Sequence, residues 1–203
     1  GLLLDSNELR TSVINMSKNT LVIIDEAYNE ITNKPDDNSM IDLVRDGYNV
    51  AVSRTFSKIY GLAALRVGYG IAQQPIIQNL HKVRQPFNVN GLALECAYQA
   101  LQTDAFVAQS LNVNEEGKQY LLNELANIDC QIPDSQANFL FIRFNKNIDG
   151  TALSQALLKK GVIVRNMKSF GQKSAIRVTI GTLEQNKRFI KELTTCLNQS
   201  LLE

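Results

Sequence analysis

Two short runs in this chain, LVIID at residues 21–25 and NVAVS at 49–53, are continuously apolar and rich in β-branched side chains. Runs of this kind suit strands covered on both faces within a parallel sheet. Between them lies IDLVRDG, whose Ile41, Leu43 and Val44 suit a crossover helix that stops near Gly47. Parallel strands joined in this way bring their carboxyl ends to one edge, where open α/β sheets take their ligands. Asp25 and the turn SRTFSK (residues 53–58) are therefore expected to meet at that edge.

The residues expected at this edge have a specific chemistry in combination. Taken singly, Asp25 reads as a cap or turn former and Lys58 as a solvated surface charge. Arg66, between LAAL and VGYG, is less ordinary, because a cation in so apolar a run needs a partner if it is buried. Pyridoxal 5'-phosphate (PLP) makes three demands: an amine for its aldehyde, a carboxylate for its ring nitrogen, and hydroxyls with a cation for its phosphate. Lys58 supplies the first, Asp25 the second, and Thr55, Ser57 and Arg66 the third. The phenol of Tyr28, three residues after Asp25, is suited to the ring's 3-hydroxyl oxygen.

With DEAY, SRTFSK, LAALRVGY and IRVTIGT in this order and spacing, nearly the whole chain resembles the fold type I PLP-dependent aminotransferases, most closely the histidinol-phosphate aminotransferase branch. The resemblance implies an α/β fold: part of a PLP-transferase large domain, mainly parallel sheet with helices, followed by a smaller α+β C-terminal domain. It implies that Lys58 links to the cofactor and shuttles the proton, and that Asp25 and Tyr28 hold the ring. It further implies that Thr55, Ser57 and Arg66 bind the phosphate and that Arg177 grips the substrate α-carboxylate, as a planar fork suits. Asn138 in SQANFLFIRF would begin a strand near the substrate, and Arg165 in GVIVRN would meet its distal phosphate. Read without the resemblance, Asn138 is equally a turn residue and Arg165 a surface charge. The expected reaction is transamination, with histidinol phosphate and 2-oxoglutarate giving imidazole acetol phosphate and glutamate.

A complete member of the family has a long half before the point where this sequence starts, and Gly1 resembles the end of an NPTG-type turn. That half would bring a glycine-rich phosphate cradle, an aromatic residue stacked on the ring and an asparagine beside the 3-hydroxyl. Each site would be completed across a homodimer. The chain is accordingly expected to be a fragment with little activity by itself.

Two regions are expected, with a boundary near residue 105: the cofactor-binding part (1–105), then a bridging helix and small domain (106–203). Before the boundary come the strands, VGYGIA at 67–72, and helices near 73–84 and 90–102 broken by PFNVN. After it come a long helix from Ala105, strand NFLFIRF, helix ALSQALLKKG, strands VIVRN and AIRVTI, and a closing helix at 183–202. In that last helix Phe189, Ile190, Leu193, Cys196 and Leu197 mark a core-facing stripe.

Composition excludes several classes. Lys+Arg 21 against Asp+Glu 20 gives no pull toward nucleic acid or anionic membrane. No apolar stretch approaches the roughly 20 residues of a membrane span, and GLLLDSNELR lacks signal-peptide character, so a cytoplasmic setting is expected. Cys96, Cys130 and Cys196, with His81 the only histidine, make no zinc set. GxxxxGK[ST] is absent, and Thr55 stands where an SxxK acyltransferase needs serine. An aminotransferase for aromatic or other amino acids, a PLP-dependent phospho-amino-acid decarboxylase and a non-catalytic scaffold remain as alternatives, separable by substrate assays and the cofactor's absorbance.

Overall fold

The computed structural model describes residues 1–145 and 148–200, and divides into two compact units, Leu3–Ala108 and Gln109–Glu203 with Gly1–Leu2. Residues 201 and 202 of the expected closing helix lie outside the described residues.

The first unit runs α1 (Ser6–Ser17), β1 (Val22–Asp25), α2 (Pro35–Asn38), α3 (Ile41–Arg45), β2 (Val50–Thr55), β3 (Gly68–Ala72), α4 (Gln74–Val83), α5 (Gly91–Leu101) and the start of α6 (Asp104–Leu125). Asp5 caps α1, its carboxylate accepting from the N–H groups of Asn7 and Glu8 at 3.0 Å. As the apolar runs predict, β1 and β2 are parallel, in register from Val22↔Val50 to Asp25↔Ser53. The crossover passes through α3, and Gly47 ends it at φ +89°, where glycine has no side-chain penalty. Val50 and Val52 of β2 bury against Leu43 and Val44 of α3, Met40, and Val13 of α1.

One expectation needs correction. LVIID is not covered on both faces: Val22 and Ile24 turn to the core, but Ile23 is 69% exposed. The core elements α1, α3 and Met40 pack on one face of the strand, which leaves the face bearing Ile23 and Asp25 open. The sheet adds to this parallel pair an antiparallel strand, β3, in register with β2 from Ala51↔Ala72 to Thr55↔Gly68.

The second unit takes the rest of α6, then β4 (Cys130–Gln131), β5 (Phe139–Phe144), α7 (Gly150–Lys159), β6 (Arg165–Asn166), β7 (Ala175–Thr179) and α8 (Leu183–Ser200). Its sheet, ordered β4-β5-β7-β6, is antiparallel at every pairing. Apolar residues at period two on β5 and β7 (Leu140, Ile142, Ile176, Val178) meet Leu157 of α7 and Leu193 of α8 in one core. The stripe expected on α8 is real: Phe189, Ile190, Leu193 and Cys196 are buried and Leu197 packs against them.

VIVRN forms a strand only at Arg165–Asn166, although Val162 and Val164 already alternate onto the core with Ile163, 84% exposed, between them. Close approaches replace side chains at two glycines. A Cβ on Gly150 would stand 2.4 Å from the Ala175 carbonyl oxygen, and one on Gly117 would stand 2.7 Å from Ile180. Beneath α6, buried Asn186 closes the turn after β7 by accepting from the Gly181 N–H and donating to its carbonyl oxygen. Among the described residues, no helix is long and apolar enough to cross a membrane.

Truncating Leu193, which is fully buried, to alanine should destabilise the second unit by about 2–5 kcal/mol through lost transfer energy and a residual cavity. Chemical denaturation followed by circular dichroism measures this.

Candidate functional site

The register that pairs Asp25 with Ser53 also sorts the side chains at the strand ends onto two faces. Ser53 and Thr55 share the open face with Asp25, and their partners on β3 are Gly70 and Gly68. A Cβ on Gly70 would meet only the Val52 carbonyl oxygen, at 3.9 Å, so this face carries polar groups over a bare floor. Gly68 is required for another reason, since a Cβ there would stand 2.6 Å from the Arg54 carbonyl oxygen.

At the tip of β1 the Asp25 carboxylate accepts from the Ala27 N–H at 3.1 Å, and Ser53 Oγ lies 3.5 Å from it. The chain then turns to Tyr28, whose ring centroid is 5.2 Å from Lys58 Nζ. Lys58 sits on the turn after β2, anchored below by buried Phe56 and Ile59. Thr55 Oγ1 accepts from the Ser57 N–H at 3.0 Å, which curls the hydroxyls of Thr55 and Ser57 into one turn. The chain returns through Phe56 N–H to Val67 carbonyl at 3.2 Å and Leu62 N–H to Phe56 carbonyl at 2.9 Å.

Arg66 closes this loop in the left-handed region, φ +55° and ψ +50°, a conformation few residues other than glycine accept. Its guanidinium donates to the Ala63 carbonyl at 2.8 Å and lies 3.4 Å from Ser57 Oγ. The side chain is exposed, not buried in an apolar run as its neighbours suggest, because the left-handed turn throws it off the core. Two hydroxyls and a guanidinium on one turn form a donor set for a multiply charged anion.

The core-facing side of the same strand ends holds a feature that sequence reasoning missed. Glu26 N–H donates to the Ser53 carbonyl at 2.9 Å, so the ladder continues past β1 and the row Val22, Ile24 ends in Glu26. On β2 the row Val50, Val52 ends in Arg54, opposite Tyr69 of β3. Arg54 Nε and Nη2 donate to Glu26 Oε2 at 3.0 and 2.8 Å, and Nη1 lies 3.8 Å from Glu30 Oε1. Glu26 Oε1 accepts from the Met40 N–H at 2.6 Å, and both oxygens face Ser39 Oγ. Burial works against the Arg54 charge, but the hydrogen bond and charge of Glu26, with Tyr69 adding to both, hold its pKa above the usual guanidinium value. Burial also raises the Glu30 carboxyl above the ordinary carboxylate range, opposed by its own backbone hydrogen bond and by Arg54. The available signal was period two: opposite charges ending two apolar rows on paired strands.

In the second unit, register again decides which cations meet. Arg177 on β7 pairs with Phe141 of β5 on one side and Arg165 of β6 on the other. The guanidinium of Arg177 lies 4.6 Å from the Phe139 ring centroid, and that of Arg165 lies 5.1 Å from the Phe170 ring centroid. Arg177 borders a hollow shared with Gly1, Ser135, Phe141, Met167 and Phe170. It also borders a second, shared with Arg165, Asn166 and Thr179. Asn138 immediately precedes β5, and its carbonyl accepts from the Ile180 N–H at 2.9 Å. It therefore holds the end of the ladder that presents Arg177.

The remaining candidates are plain. The cysteines are free, with Cys196 buried and Cys96 and Cys130 half-buried, and His81 is exposed in the last turn of α4. Among the described residues, no group of three or more His, Cys, Asp or Glu could hold a metal ion.

Comparison with known proteins bears on both units. The chain is 45% identical to a histidinol-phosphate aminotransferase from Moorella thermoacetica over 178 residues, 87% of this chain and 46% of that protein. Its fold superimposes on the crystal structure of the histidinol-phosphate aminotransferase from Clostridium acetobutylicum with a TM-score of 0.89 at 24% identity, covering 97% of this chain and 60% of that one. The histidinol-phosphate aminotransferase from Sinorhizobium meliloti, solved in complex with pyridoxal-5'-phosphate, gives a TM-score of 0.89 at 23% identity over 98% of this chain and 55% of that one. At these identities the two structures speak to the fold. The chain spans about half the length of the curated relatives it matches. With residues 1–193 matched by the family model described as aminotransferase class I and II, the chain belongs to that family.

Proposed function

We propose that this chain carries the cofactor-holding and carboxylate-binding portions of a PLP-dependent aminotransferase acting on histidinol phosphate and 2-oxoglutarate in histidine biosynthesis. The observation that carries the proposal is the open face at the strand ends. There Asp25, Ser53 and Thr55 share a face whose floor is cleared at Gly70, and the turn after β2 carries the Ser57 hydroxyl beside the Arg66 guanidinium and Lys58 over the Tyr28 ring. A flat pyridine ring with one phosphate matches that donor set in charge and shape. The 45% identical Moorella relative supports the choice of substrate.

When bound, PLP supplies an electron sink for the substrate α-carbon. Asp25 would accept a hydrogen bond from the protonated ring nitrogen and so keep the ring able to take up the electron density that develops in the transition state. Thr55 and Ser57 donate hydroxyl hydrogens, and Arg66 a charged N–H, to the phosphate. Lys58 Nζ would provide the amine that the cofactor's aldehyde requires and, as a free amine, would move the α-proton as a general base and acid. Tyr28 directs its phenol to the ring's 3-hydroxyl oxygen. In the second unit, Arg177 holds the α-carboxylate, Arg165 the distal phosphate, and Asn138 the strand end beside the substrate. The working assembly in this proposal is a cytoplasmic homodimer using small amino and 2-oxo acids.

In the protein carrying this chain, added PLP should produce a visible absorbance band, and borohydride treatment followed by peptide mass mapping should tag Lys58. Lys58→Ala should remove both signals and lower kcat/KM on the order of 10³-fold or more. A tag on any other lysine would overturn the assignment.

Arg66→Gly should weaken PLP binding by about tenfold. Stability should stay within about 1 kcal/mol, because glycine accepts the left-handed turn. Cofactor titration and thermal melts read the two effects separately.

Arg165→Ala should raise KM for histidinol phosphate while sparing an amino donor that lacks a phosphate. Steady-state kinetics with both donors checks this.

A further inference from the structure

The buried ion cluster lies on the core-facing side of the strand ends, opposite the face that carries Asp25, Ser53 and Thr55. Glu26 is 5% exposed at its side chain, and Arg54 and Glu30 are 16% exposed. Stability alone accounts poorly for such a group, since well-packed apolar residues fill such a row equally well or better. Its connectivity is more informative. Glu26 and Glu30 bracket Tyr28, and both converge on the Arg54 guanidinium, which is carried by β2. Within the bracketed segment Asn29 is also pinned: its side chain donates to the Pro35 carbonyl at 2.9 Å, and its carbonyl accepts from Thr32 Oγ1 at 2.8 Å. Arg54 stands two residues before Phe56 and four before Lys58, so one rigid strand end bears both the Arg54 anchor and the turn with the amine.

Resting on the function proposed above, we infer that Arg54 is a positioning residue: by tying Glu26 and Glu30 to β2 it fixes the Tyr28 loop, and so sets where the Tyr28 phenol and ring stand relative to Lys58 Nζ and the cofactor. The planar fork matters here. Two N–H groups close on Glu26 Oε2 while the third nitrogen faces Glu30, a division that a point-like ammonium cannot reproduce. The charged and titratable groups around the guanidinium are Glu26, Glu30, Tyr69 and, further off, Tyr60.

The test is a double-mutant cycle on the PLP-loaded protein, reading the pH midpoint of the cofactor's absorbance change together with kcat and KM. Tyr28→Phe moves the midpoint by removing the phenol. Arg54→Lys should move it in the same direction, by about half a pH unit or more, equivalent to about threefold in the proton-binding constant. The double variant should match the single ones rather than their sum, because both act on the same phenol. Loss should fall on kcat more than on KM. Should Arg54→Lys fail to fold, Glu30→Gln leaves the Glu26 contacts intact and should shift the midpoint in the same direction to a smaller extent. Leu193→Ala, which weakens the core of the other unit, should lower the melting temperature and leave the midpoint unchanged. An unmoved midpoint in Arg54→Lys or Glu30→Gln, or strictly additive shifts with Tyr28→Phe, would overturn the inference. Wild-type protein that forms no PLP band would instead sink the function on which it rests.

Discussion

The parallel pairing of β1 with β2 is the constraint on which the first unit depends. One ladder, ending at Asp25↔Ser53 with the Glu26 N–H on the Ser53 carbonyl, decides which residues face outward and which face the core. A slip of one residue would exchange the faces, burying Asp25 and exposing Glu26. Register is protected against this by the apolar rows Val22, Ile24 and Val50, Val52, whose burial against α3 and Met40 holds only in the observed alignment. The hydrophobic core therefore positions the polar groups, although it contains none of them.

The second unit solves a parallel problem with antiparallel strands. Leu140, Ile142, Ile176 and Val178 turn inward, so Phe139, Phe141, Arg177 and Arg165 are left facing outward together. Asn186 pairs both backbone polar groups of Gly181, and the glycines at 117 and 150 allow backbone and side chains to approach closely. Aromatic rings at Phe139 and Phe170 flank the two guanidiniums and orient them without neutralising their charge.

Much of this was legible from residue patterns. Continuous β-branched runs located β1 and β2, three-to-four spacing located α8, and amine, carboxylate, hydroxyl and guanidinium groups near one edge located the open face. What escaped had physical causes. Which face of β1 is covered, and hence the exposure of Ile23, is set by where α1 and α3 pack and not by LVIID itself. The left-handed turn at Arg66, just before β3, was also hidden, since nothing in LAALR announces positive φ at an arginine. VIVRN carries strong strand preference, but only two of its residues find partners. Glu26 and Arg54 look like solvated charges until their strands are paired, when the alternation that buries Ile24 and Val52 buries them too.

The two-residue ladder of β6 has an energetic corollary. Like charges held opposite one another, as Arg165 and Arg177 are, weaken a cross-strand pair, and a ladder this short has few hydrogen bonds with which to compensate. This hem of the sheet should therefore open more readily than β5 or β7, with faster amide exchange. Anionic groups of a substrate paired with each guanidinium would relieve their repulsion and knit the border, so occupancy and local order would rise together.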